Sequence, residues 1–342
     1  MISIGKAVLC SALTVASVPV SLSSTLSVSE EAFLYVGEED SQKLDYQTAV
    51  PLLLAEWEEA YGPIQPGPTG KVVMKVYTNS GLGLRTPQGL VLALAEALED
   101  RGFLRENLAI ADLDRRRLRA AGYLPPLSEG GDLFQGIPVI ALDDPSKHLA
   151  DWFYESPLPP DPLLGVGETE ASRELLEGDE DRKSFLPTPL LFDLDFWINL
   201  PVAVEHPILG ISGALANAGV WAVSNQSRFF TRPVSAASSA VEIAAIPELQ
   251  RTWLFSLLSL EKFQFIGGPR YNEHYTESRP ELLLSSDPLL LDRYALAALN
   301  ASRLNRNFEP ITPEPLFFRY GESLDLGNPD LDPVRIRIVG SE

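Results

Sequence analysis

The residues best suited to chemistry in this sequence are acids, amides and a histidine that follow stretches typical of β-strands. Asp112 comes directly after the apolar run Asn107 to Ala111, and open α/β sheets bind ligands outside the carboxyl ends of their strands. His206 follows another apolar run, and Ser212 and Asn217 come soon after it. A histidine with hydroxyl and amide neighbours could orient a ligand or transfer a proton. A structural turn at the histidine and the proline after it explains the same residues equally well.

A glycine-containing loop, Asn79 to Thr86, connects a predicted strand to the start of a predicted helix. Backbone N–H groups and the helix dipole favour an anion at such a position. A dinucleotide fingerprint requires a third glycine three residues after the second, and Thr86 occupies that place. The loop therefore indicates either an anion site or a plain connection, and it predicts no dinucleotide cofactor.

Other acids and histidines offer further interpretations. Asp287 precedes a proline and fits the N-cap of a helix, and Asp292 lies five residues further on, on a different face of that helix. His148 and His274 lack the spacing to His206 that a zinc site requires, so no metal centre is predicted. Three aspartate pairs could still supply oxygen ligands to a hard cation, or be solvated loop acids: Asp112/Asp114, Asp143/Asp144 and Asp193/Asp195.

The pattern of apolar residues predicts an α/β fold, with a layered, mostly parallel sheet and helices on both faces. Lys71 to Tyr77 is rich in β-formers, a helix with Pro87 at its first position follows, and Asn107 to Ala111 is a second strand. Strand, helix and strand form a βαβ unit with parallel strands. Thr86 is the predicted N-cap of that helix. Glu248 to Phe263 is predicted to be helical, because its apolar residues recur on one helical face.

Composition limits the classes of function. The chain has 342 residues with 27 Lys+Arg and 47 Asp+Glu, a formal charge of −20, and its length suffices for a large core. That charge argues against a nucleic-acid partner, whose phosphates require basic patches. The single cysteine excludes an intramolecular disulfide and a four-cysteine iron–sulfur cluster. No segment is typical of a membrane span. A small molecule is the expected partner, and no oligomeric state is indicated.

The N-terminal residues predict export. Residues 1–24 are typical of a secretory signal peptide, since one early lysine precedes an uncharged run and then small residues; a buried strand or helix is the alternative. We therefore expect a periplasmic or extracellular protein whose mature chain lacks Cys10. Residues 25–70 are predicted to be an N-terminal extension and 71–342 a single α/β domain. An acidic, proline-rich insertion or linker at 155–187 interrupts that domain.

Several short motifs follow one another in an order more specific than any one of them. The first two are Asp195-Phe196-Trp197-Ile198-Asn199-Leu200-Pro201 and then His206 with Gly210-Ile211-Ser212-Gly213-Ala214-Leu215-Ala216-Asn217-Ala218-Gly219. The later ones are Gly267-Gly268-Pro269 and Ser285-Ser286-Asp287-Pro288-Leu289-Leu290-Leu291-Asp292. Together these motifs resemble the domain of unknown function 362 family. Lys75 also resembles the lysine of the family's opening Lys-Pro-Asn motif, although Asn79 is displaced from the position of the motif's asparagine. The resemblance covers most of the chain after the predicted extension.

The sequence also departs from that family. Val204 stands where the family's Lys-x-His motif has its lysine, and Ala216 stands where a lysine precedes the asparagine. Many relatives carry a ferredoxin-like cysteine cluster, which this chain lacks. The resemblance therefore implies a fold and a site location with two cations missing. It implies weaker binding of an anionic ligand, or a different ligand, and it implies no particular reaction.

From these observations we expect a ligand pocket at the carboxyl ends of the strands. Lys75 would supply charge, amide and hydroxyl side chains would supply hydrogen bonds, and His206 would transfer a proton. The candidate lining residues are Lys75, Asn79, Asp112, His206, Ser212, Asn217, Asp287 and Asp292. Two other hypotheses stay open: a catalytically inert binding or scaffold protein that keeps the family fold, and a metal-dependent hydrolase that depends on the aspartate pairs.

Overall fold

The computed structural model describes residues 31–38, 43–156 and 182–340, and the candidate signal peptide lies outside these ranges. Its main feature is a mixed sheet that contains twelve strands within the described residues. The strands in chain order are β1 (Ala32–Val36), β2 (Val72–Val76), β3 (Leu108–Asp112), β4 (Leu133–Phe134), β5 (Ile137–Ala141), β6 (Phe153–Glu155), β7 (Lys183–Phe185), β8 (Phe196–Leu200), β9 (Val202–His206), β10 (Gly210–Ser212), β11 (Trp253–Gln264), β12 (Thr276–Glu277), β13 (Glu281–Ser285) and β14 (Ile336–Val339). β6 and β7 pair with each other in a separate two-stranded sheet.

The centre of the large sheet is parallel. β11, β8, β2, β3 and β5 lie side by side in that order, and each neighbouring pair is parallel. On the far side of β11, β13 pairs antiparallel with both β11 and β1, and β14 runs parallel to β1. Parallel neighbours place their carboxyl ends at the same edge of a sheet. The ends of β2, β3 and β8 therefore meet, as the predicted site requires.

Helices cover both faces of this sheet. They are α1 (Tyr46–Tyr61), α2 (Gln88–Glu99), α3 (Arg115–Ala120), α4 (Thr188–Leu191), α5 (Ala214–Ala218), α6 (Pro233–Ala244), α7 (Pro247–Thr252), α8 (Pro288–Asn305) and α9 (Phe317–Ser323). Side chains of α1, α2 and α3 share one core with one face of the central strands, and those of α4 to α9 pack on the other face. The predicted layered α/β fold is confirmed. Within the described ranges, no helix combines the length and the hydrophobicity needed to cross a bilayer.

The predicted helix over Glu248 to Phe263 is confirmed only as far as Thr252 and is wrong from Trp253 onwards. α7 ends at Thr252, and Trp253–Gln264 is the long strand β11. β11 lies between β8 and β13, so successive residues such as Leu257 and Leu258 are buried in the cores on opposite faces. A strand buried on both faces has a continuous apolar run, whose period does not distinguish it from a buried helix.

Thr86 has a different role from the predicted N-cap. α2 begins at Gln88, with Pro87 at the N-cap position and no capping side chain. The Thr86 hydroxyl instead accepts a hydrogen bond from Tyr77 N (2.8 Å) and donates one to Leu200 O (2.6 Å). Buried backbone groups at strand ends need such partners, so this threonine connects the ends of β2 and β8.

The described part of the predicted N-terminal extension is integral to the domain. β1 pairs with β13 and β14, and α1 contributes Leu53, Leu54 and Trp57 to the core. The predicted insertion at 155–187 has its described ends joined, because β6 and β7 pair antiparallel.

Asp195 anchors the turn-rich segment that leads into β2. One carboxylate oxygen accepts from Gly67 N (2.7 Å), and the other accepts from Thr69 N (3.0 Å) and Thr69 Oγ1 (3.0 Å). We expect Asp195→Asn to lower the free energy of unfolding by about 1–2 kcal/mol, because either orientation of the amide turns a donor towards a backbone N–H. Urea denaturation measures this change.

Asp193→Asn is the matched control for Asp195→Asn. The Asp193 side chain is 76% exposed and pairs with Lys71, itself 45% exposed, so this variant should lose less than about 1 kcal/mol. Equal losses for the two variants would contradict the anchoring role of Asp195.

Candidate functional site

A row of polar side chains crosses three neighbouring strands, near the carboxyl ends of β2 and β8 and in the first half of β11. Lys75 of β2 is in register with Asn199 of β8, and Asn199 is in register with Ser256 of β11. Residues opposite one another in a sheet project from the same face. All three side chains are fully buried, and Asn199 Nδ2 donates to Ala214 O of α5 (2.8 Å). The row therefore lies between the sheet and α5.

Lys75 has every one of its donors occupied. Its Nζ donates to Asp112 Oδ1 (2.8 Å) and to Asn217 Oδ1 (3.1 Å). The third bond goes to the backbone oxygen of Val76 (3.1 Å). An ammonium group has three N–H donors, and the side chain has no exposed surface. Burial lowers the pKa of Lys75, because the loss of hydration outweighs the attraction of Asp112.

Asp112 is the last residue of β3 and is surrounded by donors. Its Oδ1 accepts from Lys75 and from Leu113 N (2.8 Å). Its Oδ2 accepts from Thr78 N (2.8 Å) and Thr78 Oγ1 (2.5 Å). Four donors on two oxygens satisfy a carboxylate, so the ion pair with Lys75 is complete within the protein.

Asn217 connects this ion pair to the central strands. Its Nδ2 donates to Asn199 Oδ1 (2.8 Å), and Asn199 Nδ2 donates in turn to Ser256 Oγ (3.0 Å). We refer to Lys75, Asp112, Asn199, Asn217 and Ser256 as the polar network. Fully satisfied buried networks of this kind favour one arrangement of the elements around them.

Asp292 supports the polar network from α8. Its carboxylate accepts from Ala214 N and Leu215 N (3.0 Å) at the start of α5, which has Gly213 at its N-cap and no capping side chain nearby in sequence. A Cβ on Gly213 would lie 2.1 Å from Asp292 Oδ1, so glycine is required for this approach. Burial raises the pKa of Asp292 to about 7, against the opposing effect of the two backbone donors. Asp292 thus positions the helix that carries Asn217.

Asp287 is the N-cap of α8, as the structural interpretation of the sequence predicts. Its Oδ1 accepts from Leu290 N (2.9 Å), and its Oδ2 accepts from Asn328 N (2.8 Å) and Arg335 Nη2 (3.0 Å). Gly327 has φ +148°, and a Cβ there would lie 1.9 Å from Asp287 Oδ1. The carboxylate therefore fastens the C-terminal segment to α8.

An open groove of about 360 Å³ lies next to the hydrogen bond between Asn328 N and the Asp287 carboxylate. Its lining residues are Arg293, Glu322, Asn328, Pro329, Asp330 and Leu331. None of the eight candidate residues is among them. The groove belongs to the C-terminal segment and not to the carboxyl ends of the central strands.

His206 organises the turn between β9 and β10. Its Nδ1 accepts from Ile208 N (3.2 Å) and Leu209 N (3.2 Å), so the ring proton is carried by Nε2. Burial lowers the pKa of His206 to about 4, because the charged ring would lose its hydration. The imidazole is therefore neutral at pH 7.

The two remaining candidates also lie outside the polar network. Ser212 Oγ accepts from Trp221 Nε1 (2.9 Å), and Asn79 Oδ1 accepts from Arg117 Nη1. Of the eight candidates, the structure thus joins Lys75, Asp112 and Asn217 directly. Asp292 acts through α5, and the other four have separate partners.

Sequence reasoning missed Asn199 and Ser256 as members of the polar network, and Thr78 as a partner of Asp112. Asn199 is a polar residue in the otherwise apolar strand Phe196–Leu200, where its amide cannot remain unpaired. That position was the only available signal. Its partners depend on the register between strands distant in sequence.

A distant segment covers this edge of the sheet. Gly268 lies so close to β9 that a Cβ would be 1.8 Å from Glu205 O, and its N–H donates to Glu205 Oε2 (3.0 Å). A Cβ on Gly83, in the loop after β2, would lie 2.1 Å from the Tyr271 ring. Gly268 of the motif Gly267-Gly268-Pro269 therefore packs against β9, and Tyr271, just after the motif, packs against the loop that follows β2. In the part of the chain that the structure describes, no group of three or more histidine, cysteine, aspartate or glutamate side chains is placed to hold a metal ion.

The fold and site define a layered α/β protein with a buried polar network on the central strands, in which each polar side-chain atom has a hydrogen-bond partner. No family model and no curated protein matches this chain. A crystal structure of a Thermotoga maritima protein from a structural genomics consortium is similar, with 14% sequence identity and a TM-score of 0.38. The match covers 80% of this chain and 61% of that one, so the chain spans about three fifths of that protein's length.

Proposed function

We propose that this is an exported, non-catalytic binding protein related to the domain of unknown function 362 family. The observation that supports it most strongly is the environment of Lys75, whose three donors are all taken by protein acceptors and whose side chain is fully buried. A catalytic lysine needs an amine that can reach its substrate. Lys75 instead contributes to the packing of β2, β3 and α5.

His206 is equally unsuited to proton transfer. Its Nδ1 is occupied by two backbone donors, and its Nε2 already carries the proton, so neither nitrogen is free to act as a base. With a pKa of about 4, the ring also supplies little acid at neutral pH.

The hydrolase alternative gains no support from Asp112, Asp114 and Asp195, because each of these aspartates has structural partners. Asp112 is enclosed by its four donors. Asp114 caps α3 through Arg116 N and Arg117 N, and Asp195 holds the segment before β2.

A depletion experiment separates binding from catalysis. The full chain at known concentration is incubated with the small-molecule fraction of a cell extract, and the compounds are followed by mass spectrometry. We expect at least one compound to decrease by no more than one molar equivalent of protein and to return when the protein is unfolded. Consumption beyond one equivalent with a new product would contradict the proposal, and so would the absence of any retained compound.

A further inference from the structure

Three aromatic rings form a cluster outside the polar network. The ring centroids of His206 and Phe230 are 5.0 Å apart, and those of His206 and Trp221 are 6.1 Å apart. Trp221 and Phe230 stack at 4.9 Å with an interplanar angle of 18°. His206 and Trp221 are buried, and Phe230 is half-buried. We refer to these three residues as the aromatic cluster.

Hydrogen bonds fix the orientation of two rings in the aromatic cluster. Trp221 Nε1 donates to Ser212 Oγ (2.9 Å). His206 Nδ1 accepts from the backbone N–H groups of Ile208 and Leu209. Because both rings are held in place before any ligand arrives, binding there would cost little ordering entropy.

His206 retains one donor that the protein does not use. Its Nε2–H has no hydrogen-bond partner among the described residues, although the side chain is only 4% exposed. Within the described ranges, the one fully enclosed side-chain nitrogen or oxygen atom without a hydrogen-bond partner is Ser239 Oγ. His206 Nε2 is therefore not completely enclosed, and it presents an oriented donor beside aromatic rings.

We infer that His206 Nε2–H and the half-exposed ring of Phe230 form the recognition point for an uncharged, planar ligand with a carbonyl oxygen. This inference rests on the proposed binding function and names its ligand class. A carbonyl oxygen accepts from Nε2–H, and a planar group packs against an aromatic ring. The donor character of Nε2 disfavours a cation, and the chain's charge of −20 disfavours an anion.

Benzamide is the appropriate probe, because it is flat and uncharged and carries a carbonyl. We expect benzamide added to the ¹⁵N-labelled full chain to shift the Nε2 and Nε2–H resonances of His206 in NMR spectra. The ring of His148, which is bonded to Leu142 O and stacked on Phe185, should not shift and serves as an internal control. Toluene, which lacks the acceptor, should bind about tenfold more weakly.

His206→Asn is the matched variant. The Asn Oδ1 can accept the two backbone N–H groups that Nδ1 accepts, so the variant should unfold at the same urea concentration at pH 7 while lacking Nε2–H. We expect its affinity for benzamide to fall about tenfold. Equal affinity in both proteins, or no His206 shift at benzamide concentrations on the order of 10 mM, would overturn the inference.

The depletion experiment with His206→Asn distinguishes the two proposals. If the variant still retains the compound that the wild type retains, the binding function stands and this recognition point is wrong. If the wild type turns compounds over, the binding function is wrong whatever benzamide does. Loss of retention in a folded variant supports both.

Discussion

Lys75→Met should lower the free energy of unfolding by about 3–5 kcal/mol, as expected when one partner of a buried ion pair is removed. Methionine has a similar length, so packing is largely kept. Asp112, 5% exposed, would remain buried without its counter-ion. Asn217 Oδ1 and Val76 O would lose their donor. Urea denaturation at pH 7 measures the loss.

Two comparisons make this prediction specific to the polar network. Lys71→Met removes a lysine that is 45% exposed and paired with Asp193, and it should cost less than about 1 kcal/mol. Adding Asp112→Asn to Lys75→Met should recover part of the loss, since the unpaired buried charge is then gone. A Lys75→Met protein as stable as Lys71→Met would show that the ion pair is not required.

Asp292→Asn should change the pH dependence of stability. Burial raises the pKa of Asp292 from its usual value of 3.8 to about 7. Between these values the folded protein retains a proton that the unfolded chain releases. The contribution of the protonated carboxyl to stability is therefore full below about pH 4 and is lost as the pH rises to about 7. Each pH unit in this window lowers the free energy of unfolding by up to about 1.4 kcal/mol.

The measurement is the difference in free energy of unfolding between wild type and Asp292→Asn from pH 4 to pH 8. We expect the advantage of the wild type to shrink as the pH rises. His206→Asn provides a control of opposite sign, because burial lowers the pKa of His206 from 6.5 to about 4. The wild type should therefore lose stability relative to that variant as the pH falls below 6.5. A difference for Asp292→Asn that does not vary with pH would contradict a buried ionisable carboxyl at this position.

Elements with strong local signals could be predicted from the sequence. The helix predicted after the loop Asn79 to Thr86 is present as α2, directly after Pro87, and Asp287 caps α8. β11 could not be predicted, because its apolar run is buried on both faces and only its neighbours β8 and β13 define it as a strand.

The candidate site could be predicted only in part, for a related reason. Lys75 and Asp112 have local signals, since each lies near the end of an apolar strand. Asn199 and Ser256 join them through register across strands. Whether the site is open or covered depends on residues such as Gly268 and Tyr271, far along the chain. A pattern along the sequence contains no information on such contacts.

The family resemblance implies a lysine at position 204 and another at position 216, and this chain has neither. Val204 and Ala216 occupy their positions and are 0% and 3% exposed. A Cβ on Gly268 would lie 2.7 Å from Val204 Cγ2, so the space that a longer side chain at position 204 would need is taken. Both positions are buried, so a charged side chain at either of them would have to lose its hydration.

Reductive methylation of the native protein tests most directly the claim that Lys75 is enclosed and fully bonded. The full chain is treated with formaldehyde and borohydride under native conditions and in urea, and the modified lysines are located by mass spectrometry. We predict rapid methylation of Lys71, which is 45% exposed, and methylation of Lys75 only in urea. Methylation of Lys75 in the native protein at a rate within about tenfold of Lys71 would mean that its amine reaches solvent, and would contradict the closed polar network.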